Sequence, residues 1–121
     1  MRKQTWCVVL GLVFVLGATP AAAQSVQQFL ETAERIPMNA TALLRSDTRR
    51  LMGQFRGAMT TVRAEQTARV ARGEPKTICM PDKVALGAND ILNRFRAIPA
   101  SRRNMTVTQA VREWMADEYP C

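Results

Sequence analysis

The chain contains no histidine. That removes the most common general base, the usual metal ligand and every Ser–His or Cys–His nucleophile arrangement. The carboxylates form two close pairs, Glu31 with Glu34 and Asp117 with Glu118. Glycoside hydrolysis needs two carboxylates facing one another across a cleft. Adjacent residues on a helix point apart, and the first pair falls on a polar face, so both read as solvated charge. Cys79 and Cys121 lack the paired spacing of a zinc or thiol-redox site. No haem-attachment motif and no glycine-rich phosphate loop is present. The inventory predicts a protein that is not an enzyme and carries no cofactor and no metal.

The remaining chemistry is that of arginine. The chain has 17 basic and 10 acidic residues, a formal charge of +7. Arg45, Arg49, Arg50 and Arg56 gather at the start of a long helical pattern, and Arg94, Arg96, Arg102 and Arg103 gather near a later one. Nucleic-acid binding would need a docking helix or stacking aromatics. Phe29, Phe55, Phe95 and Trp114 instead fall on apolar stripes, so no nucleic-acid role is expected. Gly53 and Gly57 stand four apart among the first arginines. In a helix interior each is unfavourable by roughly 0.5–1 kcal/mol against Ala. They suit either a close crossing by a partner or tight packing inside the bundle. Arg45, Arg49, Arg50, Gly53, Arg56 and Gly57 are therefore the candidate contacts for a protein partner with an acidic surface. The competing reading of the charge is a solvated surface.

The elements that must position these residues begin after an export signal. Arg2 and Lys3 precede an apolar run from Trp6 through Ala18; Pro20 breaks it, and Ala21-Ala22-Ala23 offers a cleavage site. The run is shorter than the ~20 residues of a membrane span. The expectation is a signal peptide over 1–23, cleaved before Gln24, with no permanent membrane anchor and a periplasmic or secreted domain over 24–121. Cleavage lowers the charge to +5 and removes Cys7. Cys79 and Cys121 are left as an even pair in an oxidising compartment, and an intramolecular disulfide between them is expected. Two free thiols, or pairing between chains, are the alternatives. A bridge over about 43 residues would stabilise by about 4 kcal/mol in the chain-entropy model. That is large for a single domain of this size.

The apolar spacing is helical along nearly the whole mature chain, which predicts an all-α fold: a small four-helix domain with one disulfide. Ser25-Val26-Gln27-Gln28 has capping-box form and opens a helix to about Arg35, ended by Pro37. A short helical turn is expected over Ala40 to Leu44. Ser46 is the expected cap of the second, long helix, which Gly73 and Pro75 stop. The polar half from Arg63 to Arg72 should project or be covered on one side only. A third helix is expected over Ala88 to Ile98 and a fourth from Thr106, where Thr106-Val107-Thr108-Gln109 repeats the capping-box form. The bridge would clasp the third and fourth helices as one unit, leaving the first two outside it.

The segment Cys79-Met80-Pro81, the Ile91–Ile98 helix, Pro99, the Val107–Met115 helix and the terminal Pro120-Cys121 together resemble the Rap/Tai-type immunity proteins of type VI secretion. The resemblance covers about the last third of the chain. Residues 24–78 hold no cysteine, where such a protein would carry another, and the Arg- and Ala-rich second helix has no counterpart. The resemblance implies a periplasmic, all-helical protein that binds and neutralises a secreted cell-wall-attacking effector by surface contact. The alternative functions are a periplasmic stress chaperone or an envelope-structural protein, and an anion-binding role at the envelope is a third.

Overall fold

The computed structural model describes residues 24–121. The expected signal peptide and Cys7 lie outside the described residues. Within them the fold is all-α, with four helices and no strand. The helices are α1 (Val26–Glu34), α2 (Ser46–Ala71), α3 (Ala88–Arg96) and α4 (Val107–Glu118). Short 3-10 segments cover Ala40–Leu44, as the sequence suggests, and Ala100–Arg102.

The helix ends follow local chemistry. At α1 the Ser25 hydroxyl accepts from the Gln28 N–H, and the Gln28 side chain accepts from the Ser25 N–H, each at 3.1 Å. The full capping box is present. At α4 only half of it forms. Thr106 Oγ1 accepts from the Gln109 N–H at 3.1 Å, but the Gln109 side chain turns to Glu113 and Arg112 instead. Ser46 does not cap α2. It is already the first helical residue, and the flanking Arg45 supplies no side-chain acceptor. The far end of α2 closes as a Schellman motif. Gly73 takes φ +78°, its N–H donates to Val70 O, and the Glu74 N–H donates to Arg69 O. A left-handed residue is needed there, and glycine takes it without a Cβ penalty.

Phe95 of α3 is fully buried at the centre of the core. The Phe29 ring meets it edge-on at 5.1 Å between centroids, and Phe55 lies at 6.4 Å. Phe55 in turn contacts Trp114 at 6.1 Å. Val26, Val62, Val111 and Met115 complete the fully buried set. Side chains from all four helices thus share one core, as the helical spacing requires.

Packing does not respect the disulfide clasp. The principal helix pairing joins α4 to α2, and α1 packs on α2, α3 and α4. α3 reaches α4 through Arg94, which pairs with Asp117 at 2.7 Å and lies 5.8 Å from the Trp114 ring centroid. The expected clasped unit of α3 and α4 is therefore covalent, while the apolar contacts that hold each helix run to α1 and α2.

Both ends of the described residues are tied down. Val26 and Gln27 N–H groups donate to Met105 and Arg103 carbonyls, and Val107 N–H donates to Gln24 O, all within 2.9–3.0 Å. At the other end Cys79 and Cys121 form a disulfide, with Cα atoms 5.0 Å apart. Beside it the Cys79 N–H donates to Tyr119 O at 2.8 Å.

Candidate functional site

The arginines of α2 divide by what they touch. Asp47 takes Arg50 at 2.5 Å and Arg45 at 3.9 Å. Arg49 and Arg56 are exposed and have no ion pair among the described residues. The α2 residues Leu51, Phe55, Ala58 and Val62 point into the core. At 100° per residue, Arg49, Gly53, Arg56 and Gly57 then fall on the opposite side of the helix. Both glycines are exposed, and a Cβ built at either would meet nothing within 4 Å. Tight packing inside the bundle is therefore not their role. They make a low, open, basic face.

The second arginine group is mostly consumed within the fold. Arg94 pairs with Asp117, and Arg102 reaches Glu113 at 3.1 Å. Arg103 donates to the Ile98 and Arg96 carbonyls, closing the connector after α3. Of the four, Arg96 is the one whose side chain makes no ion pair or hydrogen bond among the described residues.

The polar half of α2 is covered on one side, by residues the sequence did not single out. Gln66 is buried. Its Oε1 accepts from the Thr77 N–H at 2.8 Å and the Ile78 N–H at 3.1 Å, and so holds the connector against the helix. Arg63 donates to Pro81 O at 2.7 Å. Glu65 receives Arg112 of α4 through two bonds of 2.8 and 2.5 Å. That hydrogen-bonded guanidinium, opposed by partial burial, holds the Glu65 carboxyl below its ordinary value. A lone glutamine in a charged run carries no sequence signal for such a clamp.

The sequence also missed an apolar cleft of about 310 Å³ where α1, the first 3-10 segment and the first turns of α2 and α3 meet. Phe29, Ile36, Leu51, Met52, Ile91 and Leu92 form its interior. Met38 and Leu43 stand at its lip, each 77 % exposed, and the neighbouring Leu44 is 79 % exposed. The adjacent leucines were the available signal, since no helical stripe absorbs them.

The carboxylate pairs stay apart from this region. Asp117 is bound to Arg94, and Glu31 accepts from Gln27 on the outer side of α1. Among the described residues no three His, Cys, Asp or Glu side chains are placed to hold a metal ion, and no helix is long and apolar enough to cross a membrane. No family model matches the chain, and neither the curated proteins nor the solved structures compared with it yield a match.

Proposed function

We propose that this is an extracytoplasmic helical binding protein that acts on a protein partner by surface contact, in the manner of an immunity protein neutralising a secreted cell-wall-attacking effector. The observation that carries the reading is the outer face of α2. Arg49 and Arg56 are free of ion pairs among the described residues, and Gly53 and Gly57 beside them leave room for close approach. Arginine can bind a carboxylate bidentately and, being weakly hydrated, suits interfaces that lose water. An inhibitor of this type needs complementarity and no catalytic group. The resemblance of residues 78–121 to Rap/Tai-type proteins supports the choice of partner class.

The test compares the exported chain with its Arg49→Glu/Arg56→Glu variant as baits in periplasmic extract, with quantitative mass spectrometry of what each retains. The expected result is a protein held by the first and depleted at least about tenfold by the second, as buried charge pairs at interfaces require. That protein should lose peptidoglycan-degrading activity when the chain is added. A partner set identical for both baits would overturn the assignment of this face. Retention of a partner with no such activity would overturn the neutralising role.

A further inference from the structure

We propose that the first 3-10 segment with its flanks is a peripheral contact for an anionic phospholipid surface. In this contact Met38, Leu43 and Leu44 enter the interfacial layer, and Arg45, Arg49 and Arg50 meet the lipid phosphates.

The first observation is protrusion. Ala40–Leu44 has no buried residue. It nevertheless presents Leu43 and Leu44, and Met38 just before it, each more than three-quarters exposed. Large apolar side chains held out of a core are unfavourable unless something covers them. The turn that carries them is internally bonded. Asn39 Oδ1 accepts from the Thr41 N–H at 3.0 Å, Asn39 O accepts from the Ala42 N–H at 3.0 Å, and Ala42 O accepts from the Arg45 N–H at 3.2 Å. Backbone groups already satisfied in this way can approach a layer poor in water without losing hydrogen bonds.

The second observation is charge. From Arg35 to Ala64 the chain carries six arginines and a single acid, Asp47. Asp47 is already engaged by Arg50 and Arg45. Basic side chains immediately beside protruding apolar ones are the pairing that anionic interfaces select, each basic residue near the surface adding roughly fivefold to binding.

Size and charge also choose between occupants. Three protruding side chains and their arginines span about a dozen residues, fewer than the roughly 20–30 per partner of a standard protein interface. A second copy of the chain would bring the same arginine excess against itself. A lipid surface meets neither objection. The proposal goes beyond the protein-contact reading; the two surfaces share Arg49, but the apolar lip of Met38, Leu43 and Leu44 lies outside the open face of α2, so the serine variants test the lipid contact by itself.

The experiment uses the chain recovered from the periplasm of an expression host, with its disulfide intact. Co-sedimentation is measured with vesicles of roughly one-third phosphatidylglycerol in phosphatidylcholine and with phosphatidylcholine alone. Partitioning onto the anionic vesicles is expected to be at least about tenfold greater and to fall as salt is raised. Leu43→Ser/Leu44→Ser should reduce it about tenfold with an unchanged melting temperature, because both side chains are exposed. A Leu43→Trp variant should show a blue shift of its emission on the anionic vesicles alone. Absence of sedimentation would overturn the proposal, as would equal partitioning onto both vesicle types or full binding by the double serine variant. If the double serine change instead abolishes capture of the protein partner while the wild type ignores vesicles, the lip belongs to that partner and the lipid contact is refuted. The protein-contact reading is judged separately, by Arg49→Glu/Arg56→Glu in the bait comparison.

Discussion

Arg112 of α4 grips Glu65 of α2 through two parallel bonds of 2.8 and 2.5 Å across a separation of 47 residues. The pair sits at the edge of the main helix pairing, with just over a third of each side chain in water. Because the folded Glu65 carboxyl lies below its ordinary value of 4.5, its contribution is complete above that value. It is lost as pH falls through the lowered one. Glu65→Gln should therefore melt lower than the wild type near neutrality, by an amount worth about 0.5–1 kcal/mol for a partly exposed bidentate pair. The two should converge in acid. Melting curves followed by circular dichroism across the acid range check this, and a constant difference at every pH would contradict it.

Gln66 is the more consequential polar group, because it is buried and satisfies two connector N–H groups at once. Gln66→Met keeps the volume and removes the acceptor. Orphaned buried donors are costly, so a loss of about 2–3 kcal/mol is expected. Amide hydrogen exchange should quicken at Thr77 and Ile78 before it does in α1.

The disulfide is reinforced by its surroundings. The Cys79 N–H bonds Tyr119 O, and Ile78 pairs with Pro120. Cys79→Ser/Cys121→Ser should cost about 2–4 kcal/mol, since the bridge chiefly restricts the unfolded chain. The shift should match that seen when the wild type is denatured under reducing conditions.

Gly53 and Gly57 permit a substitution that separates stability from contact. Neither would clash as alanine, so Gly53→Ala/Gly57→Ala should stabilise the domain by roughly 0.5–1 kcal/mol per site. If a partner approaches this face closely, the same change should weaken its capture. A rise in melting temperature with undiminished capture would move the contact off the glycines.

Phe95→Ala should be the most damaging single change. The ring is fully buried and touches both Phe29 and Phe55. A loss of about 3–5 kcal/mol is expected, which is a large share of the net stability of a domain this small. The expected readout is a broad, low-temperature transition in place of a cooperative one.

The sequence by itself was enough for most of what neighbours along the chain govern, although Ser46 proved to be the first residue of α2 and not its cap. The period of the apolar residues marks the four helices and their inner faces. Ser25 with Gln28 announces one helix start, and Gly73 announces one helix end because a left-handed residue is needed there. Cys79 and Cys121, the two cysteines of residues 24–121, announce the bridge. Caps are misread where an alternative partner competes. Thr106 and Gln109 have capping-box form, but the Gln109 side chain is drawn to Arg112 and Glu113. Tertiary structure alone decided which faces meet. Periodicity shows that Glu65 and Gln66 lie on α2. It cannot show that Arg112 and the Thr77–Ile78 backbone arrive opposite them, because those pairings depend on helix crossing and on the path of a connector. The same holds for the candidate surfaces. The arginines of α2 and those near α3 look alike in sequence, yet Asp117 and Glu113 neutralise Arg94 and Arg102 from another helix, while Arg49 and Arg56 meet no acid among the described residues. The open glycine face exists because the core already uses the other side of α2, and the apolar lip at Leu43 and Leu44 exists because no residue of Ala40–Leu44 is buried in that core.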